Sequence, residues 1–412
     1  MCINFKNLIR ITFILLFNNL HSQTIVDIPK NIKTIVLNNS KSTDPFFSFN
    51  DYIELSFDDL DSDEKNYYYQ INHFDYNWKP SKLLKSEYLN GFDDLRIREY
   101  RNSFNTLKSY TNYKLKIPNN DLSLKISGNY SISIHHSNGD RVFEKRFSIF
   151  KNELPIQISI SKSNIISNIN TDQQIKINVN CDNYSEIYNS SSSLKLIVIK
   201  NNNWVNSQII EKPKYVLSNK LIYDDIYFKG GNEFLNFDNS NISSSSLRIF
   251  KTTLTDLYNN FLMTDKERTN IIYEYNPDIN GKFILNSNKN NDLSIENDYA
   301  RVFFNFKTNF YDLKREIYLL GHFNNFMIDQ NYKLEYNSKS KSYRGSFLFK
   351  QGFYNYKYAY IMSSDKNKIK YFEGNFWQTE NYYKVLLYHK KIHDKYFKII
   401  GAIDLNTYNI KN

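Results

Sequence analysis

Few side chains in this chain have both the type and the spacing to do chemistry. The acidic stretch Asp58-Asp59-Leu60-Asp61-Ser62-Asp63-Glu64 is the first to test, as a calcium loop. A loop starting at Asp59 puts Asp61 and Asp63 at its third and fifth positions. The sixth position needs Gly for a sharp turn and holds Glu64; the twelfth needs a bidentate Glu and holds Gln70. The stretch therefore reads as a solvated hairpin turn. His135 and His136 are neighbours in a strand pattern, so their rings point to opposite faces and cannot easily share a metal. His389 and His393 are four apart, which matters only on a helix. His73 stands alone, and His322 reads as a hydrogen-bonding turn residue. Gly230-Gly231 is not followed by the Lys-Ser/Thr that ends a phosphate cradle, and Gly-x-Ser-x-Gly, His-Glu-x-x-His, Cys-x-x-Cys and Gly-x-Gly-x-x-Gly do not occur. We expect no catalytic residue, no metal and no cofactor: this is not an enzyme on its sequence.

The elements that carry these residues are strands. The 34 Tyr and 31 Phe favour half-buried sheet surfaces. The alanines are Ala300, Ala359 and Ala402, so the best helix former is nearly absent. Alternation predicts strands at 32–37, 52–57, 67–74, 113–117 and 130–134, and the Asn138-Gly139-Asp140 turn leads into another at 142–150. Leu154-Pro155 marks a boundary, followed by strands at 156–160, 175–179, 194–199 and 221–228. Ser190–Ser193 reads as a short flexible connection. A third series starts near Asn297, with strands at 301–306, 316–320 and 385–388. Residues 343–349 and 353–361 read as a hairpin around Lys350-Gln351-Gly352. A chain of 412 residues suits two to four domains. The expected class is all-β: about three tandem immunoglobulin-like sandwiches at 23–152, 153–296 and 297–412.

Compartment follows from the N-terminus. Lys6 and Arg10 precede the apolar run from Ile11 to Phe17, and Ser22 offers a cleavage point, so 1–22 reads as a signal peptide. The run is too short to span a membrane, and no later stretch is longer. Cys2 precedes the run and leaves with it, so Cys181 is the remaining cysteine, expected to be a packed residue without a disulfide. The net charge of +10 is spread along the chain without a basic block, which gives nucleic acid no support as a partner.

Beyond these general features, the chain carries a series of particular stretches. They are His73-Phe-Asp-Tyr-Asn-Trp78-Lys-Pro80-Ser81, then Glu87-Tyr88-Leu-Asn-Gly91-Phe92, Asn105-Thr106, Pro118-Asn119 and Gly128-Asn129-Tyr130. Later come Gly230-Gly231-Asn232-Glu233-Phe234, Tyr273 to Gly281, Lys350 to Gly352 and Glu373-Gly374-Asn375. In this order they resemble the plug protein family of the bacterial type IX secretion translocon, of the Bacteroidetes type. The resemblance implies a periplasmic multi-sandwich protein, peripherally associated with the outer membrane. Its partner would be the large outer-membrane export barrel, whose periplasmic mouth it would close when no cargo is present. The quoted residues are then either docking or fold-defining. We expect the domain around His73–Tyr130, with its long aromatic loop, to contribute to docking.

Gly321-His322-Phe323-Asn324-Asn325-Phe326 resembles the turn of glycogen-binding-type sandwich modules, with Phe326 where Trp is commonly found. Tyr354, Tyr356, Tyr358 and Tyr360 recur with period two and share one face. An aromatic face of this kind suggests the alternative reading, a carbohydrate-binding protein.

Overall fold

The computed structural model describes residues 28–39, 42–181, 193–217, 219–288, 292–308, 312 and 314–408. The expected signal peptide and most of the Ser190–Ser193 connection lie outside them. The fold is all-β. In the first unit a four-stranded sheet, in the order Ile32–Asn38, Ile53–Asp59, Thr111–Ile117 and Glu99–Asn102, faces a five-stranded one. The second sheet runs Phe46–Ser48, Arg141–Phe150, Gly128–His135, Tyr68–Phe74 and Leu95–Arg96. Aromatic rings fill the space between. Phe57 stacks on Tyr113 at 5.1 Å and meets Phe143 edge-on at 5.0 Å.

The rest departs from the tandem order expected at 153–296 and 297–412. Ile156–Lys162, Asp172–Asn180, Lys220–Lys229 and Tyr215–Leu217 form one sheet of a second sandwich. The facing sheet runs Asn203–Ile210, Leu194–Lys200, Tyr382–His389 and Lys398–Asn406, so it needs the C-terminal end of the chain. The reason lies in Leu194–Lys200, which is buried almost throughout and must be flanked on both edges. Tyr382–His389 supplies the second flank, with Leu194 opposite His389 and Lys200 opposite Tyr383. A strand's own pattern of alternation does not say which sheet it joins. The boundary at 296/297 thus divides paired strands.

Residues 231–377 are inserted within the second sandwich. Their sheet runs Leu235–Asp238, Gly352–Met362, Arg315–Leu320, Lys333–Asn337, Ser342–Lys350, Tyr299–Lys307, Tyr258–Leu262 and Ile249–Leu254. It curls over, so that Phe237 on its first strand meets Phe349 at 5.3 Å and Phe304 at 5.8 Å. Ser342–Lys350 and Gly352–Met362 do not pair with each other, and the expected hairpin is instead a corner between distant parts of the sheet. Gln351 holds that corner: its side chain accepts from the Asp298 amide at 2.9 Å and donates to the Ser240 carbonyl at 2.8 Å.

The tyrosine face points inward. Tyr354, Tyr356 and Tyr358 are buried, and Tyr360 is half-buried. The hydroxyls of Tyr356 and Tyr358 both donate to the buried carboxylate of Asp265 at 2.8 Å, while Arg248 pairs with its other oxygen. A tyrosine face packs inward only if each hydroxyl finds a partner. Here one acidic side chain meets that need for two of them, and the glycan face is removed.

Candidate functional site

The residues singled out in the first unit mostly build loops and hold the unit against its neighbours. His73 is buried among Tyr88, Tyr130 and Tyr396, with ring centroids 5.0 to 5.6 Å away. Neither ring nitrogen has a hydrogen-bond partner, and burial pushes its pKa down to about 4. Gly128 makes room for it; a Cβ there would lie 2.3 Å from His73 Nε2. Trp78, at positive φ, packs edge-on against Trp204 of the second sandwich at 5.0 Å, with the Arg146 guanidinium over its ring. Of the aromatic loop, Trp78 and Tyr88 are thus engaged inside the molecule, while Phe92 is left exposed. Pro80 bridges to Phe74, and the Ser81 amide donates to the His73 carbonyl. Glu87 accepts from the Leu84 amide and pairs with Lys395 at 2.7 Å. The Tyr88 hydroxyl reaches the Ile71 carbonyl.

The remaining first-unit positions shape turns. Gly91 has φ +85° and would clash with the Asp121 carbonyl if it carried a side chain. Phe92 beside it is 80% exposed. Asn105 adopts positive φ, and the Thr106 hydroxyl donates to Ser103 Oγ and to the Lys108 carbonyl. Pro118 ends the strand Thr111–Ile117, and Asn119 accepts from the amides of Asp121 and Leu122. Asn129 is a hub between units. Its side-chain oxygen accepts from Ser148 Oγ at 2.8 Å and from the Tyr388 hydroxyl at 2.7 Å. The Tyr130 hydroxyl donates to the Ile126 carbonyl.

The first unit grips the inserted sheet through a network that the sequence reading missed. Lys350, at the corner, donates to Asp58 at 2.8 Å, and both side chains are almost wholly buried. Asp58 also accepts from the Tyr299 hydroxyl at 2.6 Å and from Asn112 at 2.7 Å. Asp59 next to it is buried under Asn31, Lys65 and Tyr67. The acidic stretch is thus solvated only beyond Asp59; its first two residues end a strand inside the protein. Asp298 accepts from the amides of Leu107 and Lys108 at 2.6 and 3.1 Å, and Arg101 pairs with Asp292 at 2.7 Å. An acid at the end of an alternating strand, with a lone lysine in a turn, is the only sequence signal for this contact.

Three of the four stretches quoted from the rest of the chain, Gly230 to Phe234, Tyr273 to Gly281 and Glu373 to Asn375, come together where it crosses between second sandwich and inserted sheet. The chain leaves at Gly230-Gly231 and returns at Phe376–Thr379, and the two crossings lie side by side. The Phe376 amide donates to the Gly231 carbonyl at 2.9 Å, as does Thr379 Oγ1 at 2.8 Å. A Cβ on Gly230 would fall 1.9 Å from the Phe376 carbonyl oxygen, so only Gly permits the approach. Asn232, Glu233 and Phe234 follow, all buried. Glu233 accepts from the Tyr273 hydroxyl at 2.5 Å and the Glu380 amide at 3.1 Å, and its second oxygen has no partner. Burial pushes its carboxyl up to about 7. Asp278 accepts from the Phe234 amide at 2.5 Å, and Phe234 packs on Phe326. Arg268 pairs with Glu373 and reaches the Glu233 carbonyl. Lys357 bridges Glu373 at 2.9 Å and the Asn232 carbonyl at 2.5 Å. Stretches far apart in sequence thus form one bonded junction.

A cleft of ≈ 640 Å³ opens beside this junction, with Lys200, Lys357, Glu373 and Asn375 in its wall. Lys200 donates to the carbonyls of Lys229 and Gly230 at 2.6 and 2.5 Å, and burial, aided by Lys357, pushes its ammonium down to about 7. Cys181 is buried against the Val179 carbonyl. Among the described residues no group of three or more His, Cys, Asp or Glu is placed to hold a metal ion. Nor is any helix of the described residues long and apolar enough to cross a membrane. The arrangement holds bodies together; its perturbed groups are engaged in packing.

Comparison with known proteins gives two findings. Residues 32–151 match the type 9 secretion system plug protein 1st domain. The crystal structure of a hypothetical protein from Parabacteroides merdae ATCC 43184 is similar over 92% of this chain and 98% of that one, at 29% identity with a TM-score of 0.85. No curated protein matches.

Proposed function

Because this chain belongs, through residues 32–151, to the type 9 secretion system plug family, we propose that it is the stopper of that system's outer-membrane export barrel. It works from the periplasm, held peripherally at the barrel's inner mouth, and closes it while no cargo is passing. The family match carries this reading. A stopper acts sterically and makes no bonds, which agrees with a family of secretion components rather than enzymes. It must resist deformation, and the buried contacts of the first unit with both other units supply stiffness. Signature residues such as His73, Trp78 and Asn129 are fold-defining in this reading, so barrel contacts fall to exposed groups. Leu84 and Phe92 are the candidates on the first unit, at 70% and 80% exposure. The Lys85–Asp93 bridge of 2.5 Å ties the two ends of their loop together.

The test is purification of the tagged protein from gently solubilised outer membrane of the producing cell. The barrel is expected to co-purify, and deleting the gene is expected to admit large antibiotics that the intact membrane excludes. Recovery of the protein free of any barrel would end the proposal. Replacing Leu84 and Phe92 with Ser together is expected to reduce barrel recovery without changing thermal unfolding. Unchanged recovery would take docking away from this loop.

A further inference from the structure

The cleft beside the junction has a feature that packing alone does not explain: it runs along open strand edges. It touches Asn206, Ser207 and Gln208 in succession, and likewise Tyr227, Phe228 and Lys229. Successive side chains of a strand point to opposite faces, so a cavity that meets three in a row lies along the strand's edge. The pairing agrees. Asn203–Ile210 is the last strand of its sheet. Lys220–Lys229 is paired along its length on one side, but on the other only from Lys220 to Ile222. Asp365–Tyr371, whose Lys370 and Tyr371 line the opposite wall, pairs only with Gly352–Met362 among the described residues. One side chain already acts as a ladder partner here: the Gln208 amide donates to the Tyr227 carbonyl at 2.7 Å.

The charge of the walls is uneven. Lys229 is paired with Asp172 at 2.8 Å and Lys357 with Glu373 at 2.9 Å. Lys200 and Lys370 have no carboxylate in ion-pair contact among the described residues, and Lys370 is exposed. The volume is that of a pocket for a ligand of moderate size. We propose that this cleft receives an extended acidic peptide segment of a partner protein. The segment adds as a strand to an open edge, and its carboxylates answer Lys200 and Lys370. Main-chain bonds to the edge supply affinity in this mode of recognition, and side-chain contacts supply selectivity. An isolated anion would gain only the second.

The full chain is screened against randomised seven-residue peptides, and enriched peptides are titrated by calorimetry. Acidic, β-prone peptides are expected, with amide-exchange protection appearing at 203–210, 223–229 or 365–371 on binding. The variant Lys370→Glu is expected to weaken binding by about tenfold, as for loss of one partly shielded ion pair. Lys370 is exposed, so the variant should keep the wild-type unfolding temperature; Lys200→Met gives a second reading at the buried position. Four outcomes would overturn the proposal. They are no enrichment, enrichment indifferent to charge, protection confined to other strands, or saturable binding of inorganic phosphate with none of peptide. The experiment contains no barrel, so its result and that of the stopper proposal are independent.

Discussion

Lys350 and Asp58 are two charges that the fold takes out of water together. Desolvation lowers the lysine pKa, and the Asp58 carboxylate opposes that fall. Removing one partner of such a pair leaves the other buried and uncompensated, which costs about 3–5 kcal/mol. Asp58→Ala is therefore expected to lower stability by that amount in urea unfolding. Asp58→Leu combined with Lys350→Met should recover part of it; a single-variant loss below about 1 kcal/mol would show that the pair does not hold the units together. His73 gives a pH-dependent counterpart. Its folded pKa of about 4 lies below the ordinary 6.5, so between these values the unfolded chain binds the extra proton. Its favourable contribution is complete above pH 6.5 and is lost as pH falls toward 4. Linkage makes the loss about 2 kcal/mol at pH 5. Since neither ring nitrogen is bonded, His73→Phe should fit, and it should be more stable than wild type at pH 5 by about that margin, with a smaller difference at pH 7.5. Equal differences at the two pH values would mean the ring is not held neutral.

Strands were legible, and so was the hairpin across Asn138-Gly139-Asp140, but partners distant in sequence were not. The alternation at Tyr113–Ile117, Ile175–Val179 and Val142–Phe150 falls within observed strands, because half-buried sheets impose a period of two. The Lys350-Gln351-Gly352 turn was legible as a turn, but whether a turn folds a strand back or carries it to another sheet depends on what its side chains meet. Gln351 and Lys350 meet Ser240 and Asp58, more than a hundred residues away, and no local pattern reports that. The junction shows the same limit. Gly230-Gly231 reads as a strand-ending turn; Gly231 fits that with its φ of +77°, whereas the need for glycine at Gly230 comes from Phe376 on the returning crossing. Gly230→Ala forces a Cβ into that carbonyl and is expected to cost at least about 1–3 kcal/mol, the range for overpacking. Gly139→Ala, at a turn with nothing near its Cβ, is the control; its φ of +88° carries a backbone penalty of about 1–2 kcal/mol without a clash. Limited proteolysis should then show new cleavage near 229–234 and 374–379 in the Gly230 variant alone.

For the whole molecule, the inserted order of its parts has a consequence that a tandem order would not have. The second sandwich is built from residues 154–229 and 378–407, and the chain passes between it and its inserted sheet at two crossings tied together by the Phe376 to Gly231 bond of 2.9 Å. The ends left by removing 232–375 already lie together, so a short Gly-Ser bridge can join them without stretching. Closing so short a loop costs little entropy. The shortened chain is expected to keep a folded second sandwich, seen as dispersed amide resonances and a cooperative thermal transition. A cut at 296/297 separates Leu194–Lys200 from Tyr382–His389 and strips one flank from a strand buried on both faces. Neither resulting fragment should then form the second sandwich, although the first unit is complete in the N-terminal one. If amides of 156–229 and 382–406 are protected from exchange in the separate fragments and not in the excised chain, the sheets are tandem after all. The order also bears on the proposed stopper role. With its two chain crossings tied together and the first unit bonded to both the second sandwich and the insert, the body has no single-strand hinge between its last two parts. A push on one is transmitted to the other through packed side chains rather than taken up by a linker, as an object that must block a wide pore without yielding requires.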